Sequence, residues 1–279
     1  MIHGARRDAS RGRDASVPEV NTMAEHEPLL VNMDATGVME IRLNRPEALN
    51  AFNKRIGFGI LAAIRSAQDT ARAIIVTGGD RAFSAGADIQ DSGDGISSNG
   101  PLDEMNEIIY ELAHSRVPSI AAVAGPAVGV GVSLALACDY VVMAKSSFFM
   151  LAFTPIGLMP DGGSTATIAA SAGRLRAMRM ALTAERVHGP LALEWGLASE
   201  LVEEGSPLER AHEVAARFAA GAPLALAATR AAITAATLPN LRAVLDHETV
   251  NQTRLLATED VREGVAAFGE KRTPNFQGR

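Results

Sequence analysis

Hydrophobic and polar positions follow two periods along the first two-thirds of the chain. Residues 29–44, LLVNMDATGVMEIRLN, alternate around a turn, which predicts a β-hairpin. Apolar residues at 54–69 recur at helical spacing and predict an amphipathic helix. The same signals predict strands at 71–78, 119–123 and 139–144 and helices at 102–114 and 130–138. Strands that alternate with helices in this way predict an α/β core of repeated strand–strand–helix turns.

Helical periodicity dominates the chain from about Ser164 to its C-terminus. Strand-like sequence interrupts it at 197–205, and Pro223 and Pro239 fall between predicted helices. Residues 206–279 therefore predict a mostly helical region that serves as a cap or an oligomerisation element. The α/β core is expected at 26–205.

Two segments lack hydrophobic periodicity. Residues 1–25 carry arginine and aspartate with few apolar residues, so they predict a disordered tail or an over-extended start site. They do not resemble a secretory signal, which needs an apolar run. Residues 91–100, DSGDGISSNG, combine turn-forming residues with little apolar content and predict a mobile surface loop.

Composition narrows the class of protein. Hydrophobic residues make up 47% of the 279 residues, and the 4% aromatic content means that the core is mainly aliphatic. A formal net charge of −6 argues against a nucleic-acid-binding protein, which usually has a concentrated basic face. The segment nearest to a membrane span, 118–138, is rich in Gly and Ala and broken by Pro126, so we expect no span.

The single cysteine, Cys138, excludes an intramolecular disulfide and a cysteine-based metal cluster. It lies in an apolar helical run, which favours an inert core thiol over a nucleophile. The six histidines are scattered without metal-ligand spacing. We therefore expect a reduced, cytoplasmic protein without a metal site.

Two glycine-containing turns are candidate ligand sites. FSAGADI at 83–89 allows backbone N–H groups to approach a ligand, although a plain strand-to-helix loop has the same features. GPAVGVGVSLALACD at 125–139 opens into a helix, whose N-terminal N–H groups favour developing negative charge, although small residues also suit close packing. Together the turns would supply two donors to one carbonyl oxygen. In such an oxyanion hole each donor contributes about 2.7–4 kcal/mol.

Asp161 is a third candidate and lies in FTPIGLMPDGGS at 153–164. Pro-Asp-Gly is a common turn sequence, so this aspartate is either a turn former or a carboxylate that faces a substrate. The residues alone indicate a candidate carbonyl-activating site and leave the role of Asp161 open.

Six segments, in this order, resemble the enoyl-CoA hydratase/isomerase (crotonase) family. They are LNRPEALNAFN at 43–53, AFSAGADI at 82–89, AAVAGPAVGVGVSLALACD at 121–139, FTPIGLMPDGGST at 153–165, EWGLASELVEEG at 194–205 and EGVAAFGEKRTPNF at 263–276. The resemblance implies an α/β, crotonase-like spiral of repeated ββα units with a C-terminal helical region. It also implies homotrimers that often pair into hexamers, and an acyl-CoA thioester substrate with no separate cofactor.

The resemblance implies that an oxyanion hole is formed by the backbone N–H groups of Ala87 and Val130. Val130 stands in the middle of Gly129-Val130-Gly131, where the family has three glycines. A backbone donor does not depend on its side chain, but valine is bulkier and stiffer than glycine. Binding of the CoA or acyl group is implied for Glu47, Ala48, Leu49, Ala85, Ala87, Asp88, Ile89, Gly129, Ser133 and Phe153, and from a neighbouring subunit for Phe268 and Lys271.

Two glutamates that act as acid and base in the family's hydratases are absent. Their positions here are Ser133 and Phe153, and neither side chain transfers protons efficiently. Asp161 stands where isomerase members have a proton-transferring aspartate. We therefore expect an enoyl-CoA isomerase with Asp161 as acid/base, its pKa raised by apolar neighbours. The alternatives are a hydratase or other lyase with an unusual base, and a non-catalytic acyl-CoA-binding protein.

Overall fold

The computed structural model describes residues 27–88, 100–203 and 206–279, whose strands form a six-stranded and a three-stranded sheet. The strands are β1 (Leu29–Met33), β2 (Val38–Leu43), β3 (Ala73–Thr77), β4 (Ser119–Val123), β5 (Pro126–Val128), β6 (Tyr140–Ala144), β7 (Phe148–Met150), β8 (Val187–His188) and β9 (Glu200–Val202). The helices are α1 (Lys54–Thr70), α2 (Gly100–Ala113), α3 (Val130–Ala137), α4 (Ser164–Ala172), α5 (Arg174–Thr183), α6 (Gly189–Glu194), α7 (Pro207–Ala220), α8 (Pro223–Thr237), α9 (Leu241–Leu256) and α10 (Glu259–Glu270). The predicted tail at 1–25 and nearly all of the predicted loop at 91–100 lie outside the described residues.

The larger sheet has the strand order β1-β2-β3-β4-β6-β9. β1 and β2 form the antiparallel hairpin that the alternating pattern predicts, with Leu29 opposite Leu43. The other neighbouring strands of this sheet pair in parallel. Parallel pairing needs long crossovers, and α1 and α2 lie in the connections from β2 to β3 and from β3 to β4. In the smaller sheet β7 pairs in parallel with β5 and antiparallel with β8.

Both faces of β3 are covered, which explains its uninterrupted apolar sequence. Its residues are all buried. Ile74 and Val76 belong to the main hydrophobic core, to which α1, α2 and α3 also contribute. Ile75 packs in a second cluster with Ala211 and Val214 of α7. The larger sheet therefore lies between two helical layers, as expected of parallel strands with continuous apolar runs.

The predicted α/β class and the helical C-terminal region are confirmed. α1 and β4 match the predicted bounds to within one residue. The strand expected at 197–205 is limited to β9, and β5, β7 and β8 escape prediction because strands of two or three residues show no period. Cys138 is buried at the end of α3, and burial raises the pKa of its thiol, as expected of an inert core residue.

The C-terminal helices pack onto the part of the core that holds the candidate site. α9 contacts α2 and α4. α10 lies on the short 3-10 helix Thr154–Ile156, where a Cβ on Gly264 would come within 2.6 Å of the Ile156 backbone. Among the described residues no single helix is long and apolar enough to cross a membrane, and α7 and α8 qualify only as a pair bent by 111°.

Candidate active site

The first glycine turn, at 83–88, runs alongside the segment at 45–52. The backbone of Phe52 forms hydrogen bonds with the residues before and after Ala87 in this turn. The Phe52 N–H donates to the Gly86 carbonyl at 2.7 Å, and the Phe52 carbonyl accepts from the Asp88 N–H at 2.9 Å. Two segments that are more than 30 residues apart in the sequence are thus held together by backbone bonds, which fix the path of the turn.

The predicted CoA-contacting residues of the first half of the chain lie on these two segments. The Ala85 N–H donates to the Leu49 carbonyl at 2.9 Å. Glu47 and Ala48 belong to the short 3-10 helix that precedes Leu49. The structure therefore brings these residues together, while Ile89 lies outside the described residues.

Asn50 anchors both segments, although nothing in the sequence singles it out beyond its place in the RPEALNA stretch. It is buried, has a positive φ of 58° and donates from its side chain to the Gly78 and Ala82 carbonyls at 2.6 and 2.8 Å. Its side-chain oxygen accepts from the Arg45 N–H at 2.9 Å. The Arg45 guanidinium in turn pairs with the Asp88 carboxylate at 2.8 Å. The side chains of Asn50 and Arg45 thus hold the first glycine turn in place.

The second glycine turn leads into α3 and lies against the first. Gly129 precedes the helix with a φ of 54°, and its N–H donates to the Met150 carbonyl at 2.9 Å. A Cβ on Gly86 would lie 3.8 Å from the Gly129 Cα. A Cβ on Gly131 would lie 2.9 Å from the Ser84 Cβ, a distance too short for a normal contact. Close packing therefore requires glycine at 131, whatever else the turn does.

Two backbone N–H groups of these turns, those of Ala87 and Val130, bond to no residue that the structure describes. Val130 is the first residue of α3, where N–H groups have no acceptor within the helix and the helix dipole is positive. Ala87 is exposed, whereas Val130 is buried. Within the described part of the chain, both donors are therefore available to an acceptor such as a carbonyl oxygen.

The Pro-Asp-Gly-Gly sequence forms a turn immediately before α4. Gly162 and Gly163 have φ values of 60° and 74°, which glycine adopts without strain. The Asp161 carbonyl accepts from the Ser133 hydroxyl at 2.8 Å and from the Ser164 hydroxyl at 2.9 Å. The turn is therefore bound through its backbone to both α3 and α4. These contacts do not use the Asp161 carboxylate.

The Asp161 carboxylate is buried, with 5% of the residue exposed. Its Oδ2 accepts from the Gln252 Nε2 at 2.8 Å, whereas its Oδ1 is buried and has no hydrogen-bond partner in the described ranges. Burial raises the pKa of Asp161 to about 7, although the Gln252 hydrogen bond lowers the pKa and the nearby Glu248 raises it further. A buried carboxylate oxygen without a partner is costly, and such groups concentrate at functional sites.

Two side chains of α9, Glu248 and Gln252, hold this turn and were not recognised from the sequence. Glu248 is 1% exposed and accepts from the Gly163 N–H at 2.6 Å and from the Thr165 hydroxyl. Burial raises the pKa of Glu248 above the usual value for glutamate. The only signal in the sequence is their spacing of four residues, which puts both on one face of a helix.

Ser133 and Phe153 border the two turns. Ser133 is fully buried and lies three residues after Val130, on the same face of α3. The Phe153 ring approaches to 3.6 Å from the position that a Cβ on Gly129 would take. α3 therefore connects the free Val130 N–H to the Asp161 turn, and Phe153 adds an apolar wall.

The remaining predicted contacts lie at the end of α10. Phe268 is 72% exposed, and Lys271 is exposed at the C-cap with a φ of 55°. Neither residue is buried within its own chain. Among the described residues no group of three or more His, Cys, Asp or Glu side chains is placed to hold a metal ion.

Comparison with known proteins gives consistent matches over most of the chain. A family profile described as enoyl-CoA hydratase/isomerase matches residues 34–279. A probable enoyl-CoA hydratase of Rhodobacter capsulatus is 41% identical over 245 residues, 87% of this chain and 95% of that protein. The 1,2-epoxyphenylacetyl-CoA isomerase of Escherichia coli is 35% identical over 253 residues, 87% of this chain and 96% of that protein. The crystal structure of an enoyl-CoA hydratase from Mycobacterium avium subsp. paratuberculosis has a TM-score of 0.83 at 40% identity, covering 90% of this chain and 98% of that chain.

Proposed function

The chain belongs to the enoyl-CoA hydratase/isomerase family, and we propose that it shifts the double bond of an enoyl-CoA with Asp161 as acid/base. The observation that carries this proposal is the Asp161 carboxylate, which is buried, has one oxygen without a partner among the residues described, and has its pKa raised to about 7. A carboxylate with that pKa both takes and returns a proton near neutral pH. Ser133 and Phe153, at the positions of the hydratase glutamates, offer no carboxylate.

The proposed reaction uses the oxyanion hole and one carboxylate. The thioester carbonyl oxygen accepts hydrogen bonds from the Ala87 and Val130 N–H groups. Asp161 removes a proton from C2 of a 3-enoyl-CoA, and the released electron pair spreads over a dienolate that the two donors stabilise. Asp161 then returns the proton to C4, which leaves the double bond between C2 and C3. The substrate brings the CoA, so this reaction needs no separate cofactor.

Hydration is the second candidate, with an unusual base. The probable hydratase of Rhodobacter capsulatus supports it, as does Glu104 of α2. One carboxylate oxygen of Glu104 is buried and meets no hydrogen-bond partner in the part of the chain that the structure describes, and burial raises the pKa of this glutamate. Glu104 lies against Gly57 of α1, whereas the Asp161 turn adjoins the helix that supplies the Val130 donor. For this reason we favour Asp161.

Product analysis distinguishes these functions. The protein is incubated in deuterated water with 2- and 3-enoyl-CoAs, and products are followed by mass and NMR. Isomerisation moves the double bond without adding the mass of water, whereas hydration adds it. Water addition that survives Asp161→Asn and is lost in Glu104→Gln would assign the reaction to Glu104. Tight binding without turnover across the panel would instead indicate a non-catalytic acyl-CoA-binding protein.

We also propose that the chain assembles as a homotrimer or a dimer of trimers. Large apolar side chains on α5, α8 and α10 are mostly exposed in the single chain, and these are Leu175, Leu182, Leu224 and Phe268. Apolar surface of this kind is typical of an interface. In the assembly Phe268 and Lys271 would reach the CoA site of a neighbouring subunit. Sedimentation equilibrium should give three or six times the chain mass, and a monomer would contradict the proposal.

A further inference from the structure

Gln252 is the one side chain, within the described residues, that donates a hydrogen bond to the Asp161 carboxylate. It is 2% exposed and reaches the turn from α9. Its Oε1 accepts from the Met159 N–H at 3.1 Å, and its Nε2 donates to the Met159 carbonyl at 3.0 Å as well as to Asp161 Oδ2 at 2.8 Å. Both ends of the amide are therefore engaged.

These bonds fix which end of the amide faces Asp161. A rotation of the Gln252 amide by half a turn would set its NH2 group against the Met159 N–H and its oxygen against both the Met159 carbonyl and Asp161 Oδ2. Each of these contacts would bring like partners together, two donors or two acceptors. The donor therefore points at Oδ2, and Oδ1 is left as the carboxylate oxygen without a partner in the described structure.

We propose, on the basis of the isomerase function above, that Gln252 is a positioning residue that holds Asp161 Oδ2 so that Oδ1 takes and returns the substrate proton. An oxygen that accepts a strong hydrogen bond is a poorer site for a proton than an oxygen that accepts none. Gln252 thereby selects the proton-carrying oxygen and also keeps the carboxylate acidic enough to be ionised at neutral pH.

The effect of Gln252 on the pKa of Asp161 can be separated from the effects of the other neighbouring groups. Glu248, also on α9, acts on Asp161 as a like charge and raises its pKa, whereas Gln252 lowers it. The neighbouring elements meet the turn with neutral side chains, namely Met105 of α2, Ser133 of α3 and Ser164 of α4. Loss of the Gln252 donor should therefore move the pKa of Asp161 in one direction, upwards.

The test compares Gln252→Leu with Thr249→Val as a matched control. Thr249 lies on α9 one turn before Gln252, and its hydroxyl accepts from the Asn106 side chain of α2 at 2.7 Å. Its loss removes a hydrogen bond between α9 and the core without removing the donor to Asp161. For Gln252→Leu we expect the pH profile of kcat/KM for a 3-enoyl-CoA to shift upwards by about one pH unit, with KM changed less than twofold. Thr249→Val should keep the wild-type profile.

A second readout does not depend on catalysis. Protein labelled with 13C at the aspartate carboxyls is titrated by NMR, and the Asp161 resonance is assigned by its loss in Asp161→Asn. Gln252→Leu should raise the midpoint of this resonance, and so should Gln252→Met, which removes the same donor without adding a charge and keeps the length of the side chain if the first variant fails to fold. Unchanged midpoints in a folded variant would overturn the proposal. Activity that survives in Asp161→Asn would refute the isomerase mechanism, while the NMR midpoint would still decide the effect of Gln252.

Discussion

Asp161 is a turn former whose carboxylate is buried, with one oxygen that has no hydrogen-bond partner among the described residues. Its carbonyl bonds to two serine hydroxyls, so the backbone of the turn is satisfied without the carboxylate. The carboxylate is buried, and this burial is the largest cause of its raised pKa. Asp161 can therefore be a turn former through its backbone and a carboxylate that faces a substrate through its side chain.

The pH dependence of activity follows from this pKa. Asp161 must be ionised to remove a proton, and its pKa is raised from 3.8 to about 7. We expect kcat/KM for a 3-enoyl-CoA to rise about tenfold per pH unit below pH 7 and to level off above it. Measurement between pH 5 and 9 checks this expectation. A profile that is flat from pH 5 upwards would mean that the base has an ordinary carboxylate pKa.

Substitution of Ser133 tests whether this residue only supports the Asp161 turn or acts as a general base itself. Its hydroxyl donates to the Asp161 carbonyl, which also accepts from Ser164, so Ser133→Ala removes one of several bonds. We expect a loss of about 1 kcal/mol in the free energy of unfolding and less than a tenfold loss in kcat. A general base would cost about 10²–10⁴-fold when removed. A loss of that size in a stable Ser133→Ala variant would contradict the assignment to Asp161.

At the scale of elements, α3 connects the Val130 N–H group to the turn that holds Asp161. It begins at Val130, carries Ser133 one turn later and packs against the first glycine turn at Gly131. A shift of α3 would therefore move both the Val130 N–H group and the Ser133 hydroxyl that bonds to the Asp161 turn.

Gly131→Ala tests this packing. The added methyl group would lie 2.9 Å from the Ser84 Cβ, so α3 or the first turn must shift. We expect a loss of about 1–3 kcal/mol in the free energy of unfolding, with a fall in kcat because the Val130 N–H moves. Gly269→Ala in α10 is the matched control, since a Cβ there meets nothing within 4 Å and alanine favours a helix. Equal stability and activity of the two variants would show that close packing between α3 and the first glycine turn does not require glycine at 131.

The elements differ in how far the sequence could predict them. β4 and α1 have enough residues to show a period, and their bounds were predicted to within one residue. The motifs around Ala87 and Val130 could be placed because each follows a buried strand. The contribution of α9 to the site could not be predicted, because Gln252 is 91 residues from Asp161 and no periodicity links two such distant positions. Asn50 was missed for the same reason, since its partners at Gly78 and Ala82 come from a different part of the chain.

For the whole molecule, the buried carboxylate carries a stability cost that depends on pH. The folded-state pKa of Asp161, about 7, is above the ordinary value of 3.8, so the folded protein binds this proton more tightly than the unfolded chain does. The resulting stabilisation is complete below about pH 4 and is lost as the pH rises through 7. Asparagine stays neutral throughout and keeps an oxygen for the Gln252 donor.

Asp161→Asn should therefore be more stable than the wild type at pH 8. The rise in pKa from 3.8 to about 7 corresponds to a difference on the order of 4 kcal/mol, which should disappear below pH 4. Denaturant unfolding of both proteins at several pH values measures it. A pH-independent difference would show that Asp161 titrates normally in the folded protein.

The most direct measurement of the central claim is the rate at which wild type and Asp161→Asn convert a 3-enoyl-CoA into the conjugated 2-enoyl-CoA. Asparagine has nearly the same shape as aspartate and cannot take up the proton, so binding should persist while conversion falls by at least about 10²-fold. Binding of the CoA ester to both proteins is measured in parallel to show that the site is intact. Equal rates for the two proteins would mean that another group moves the proton.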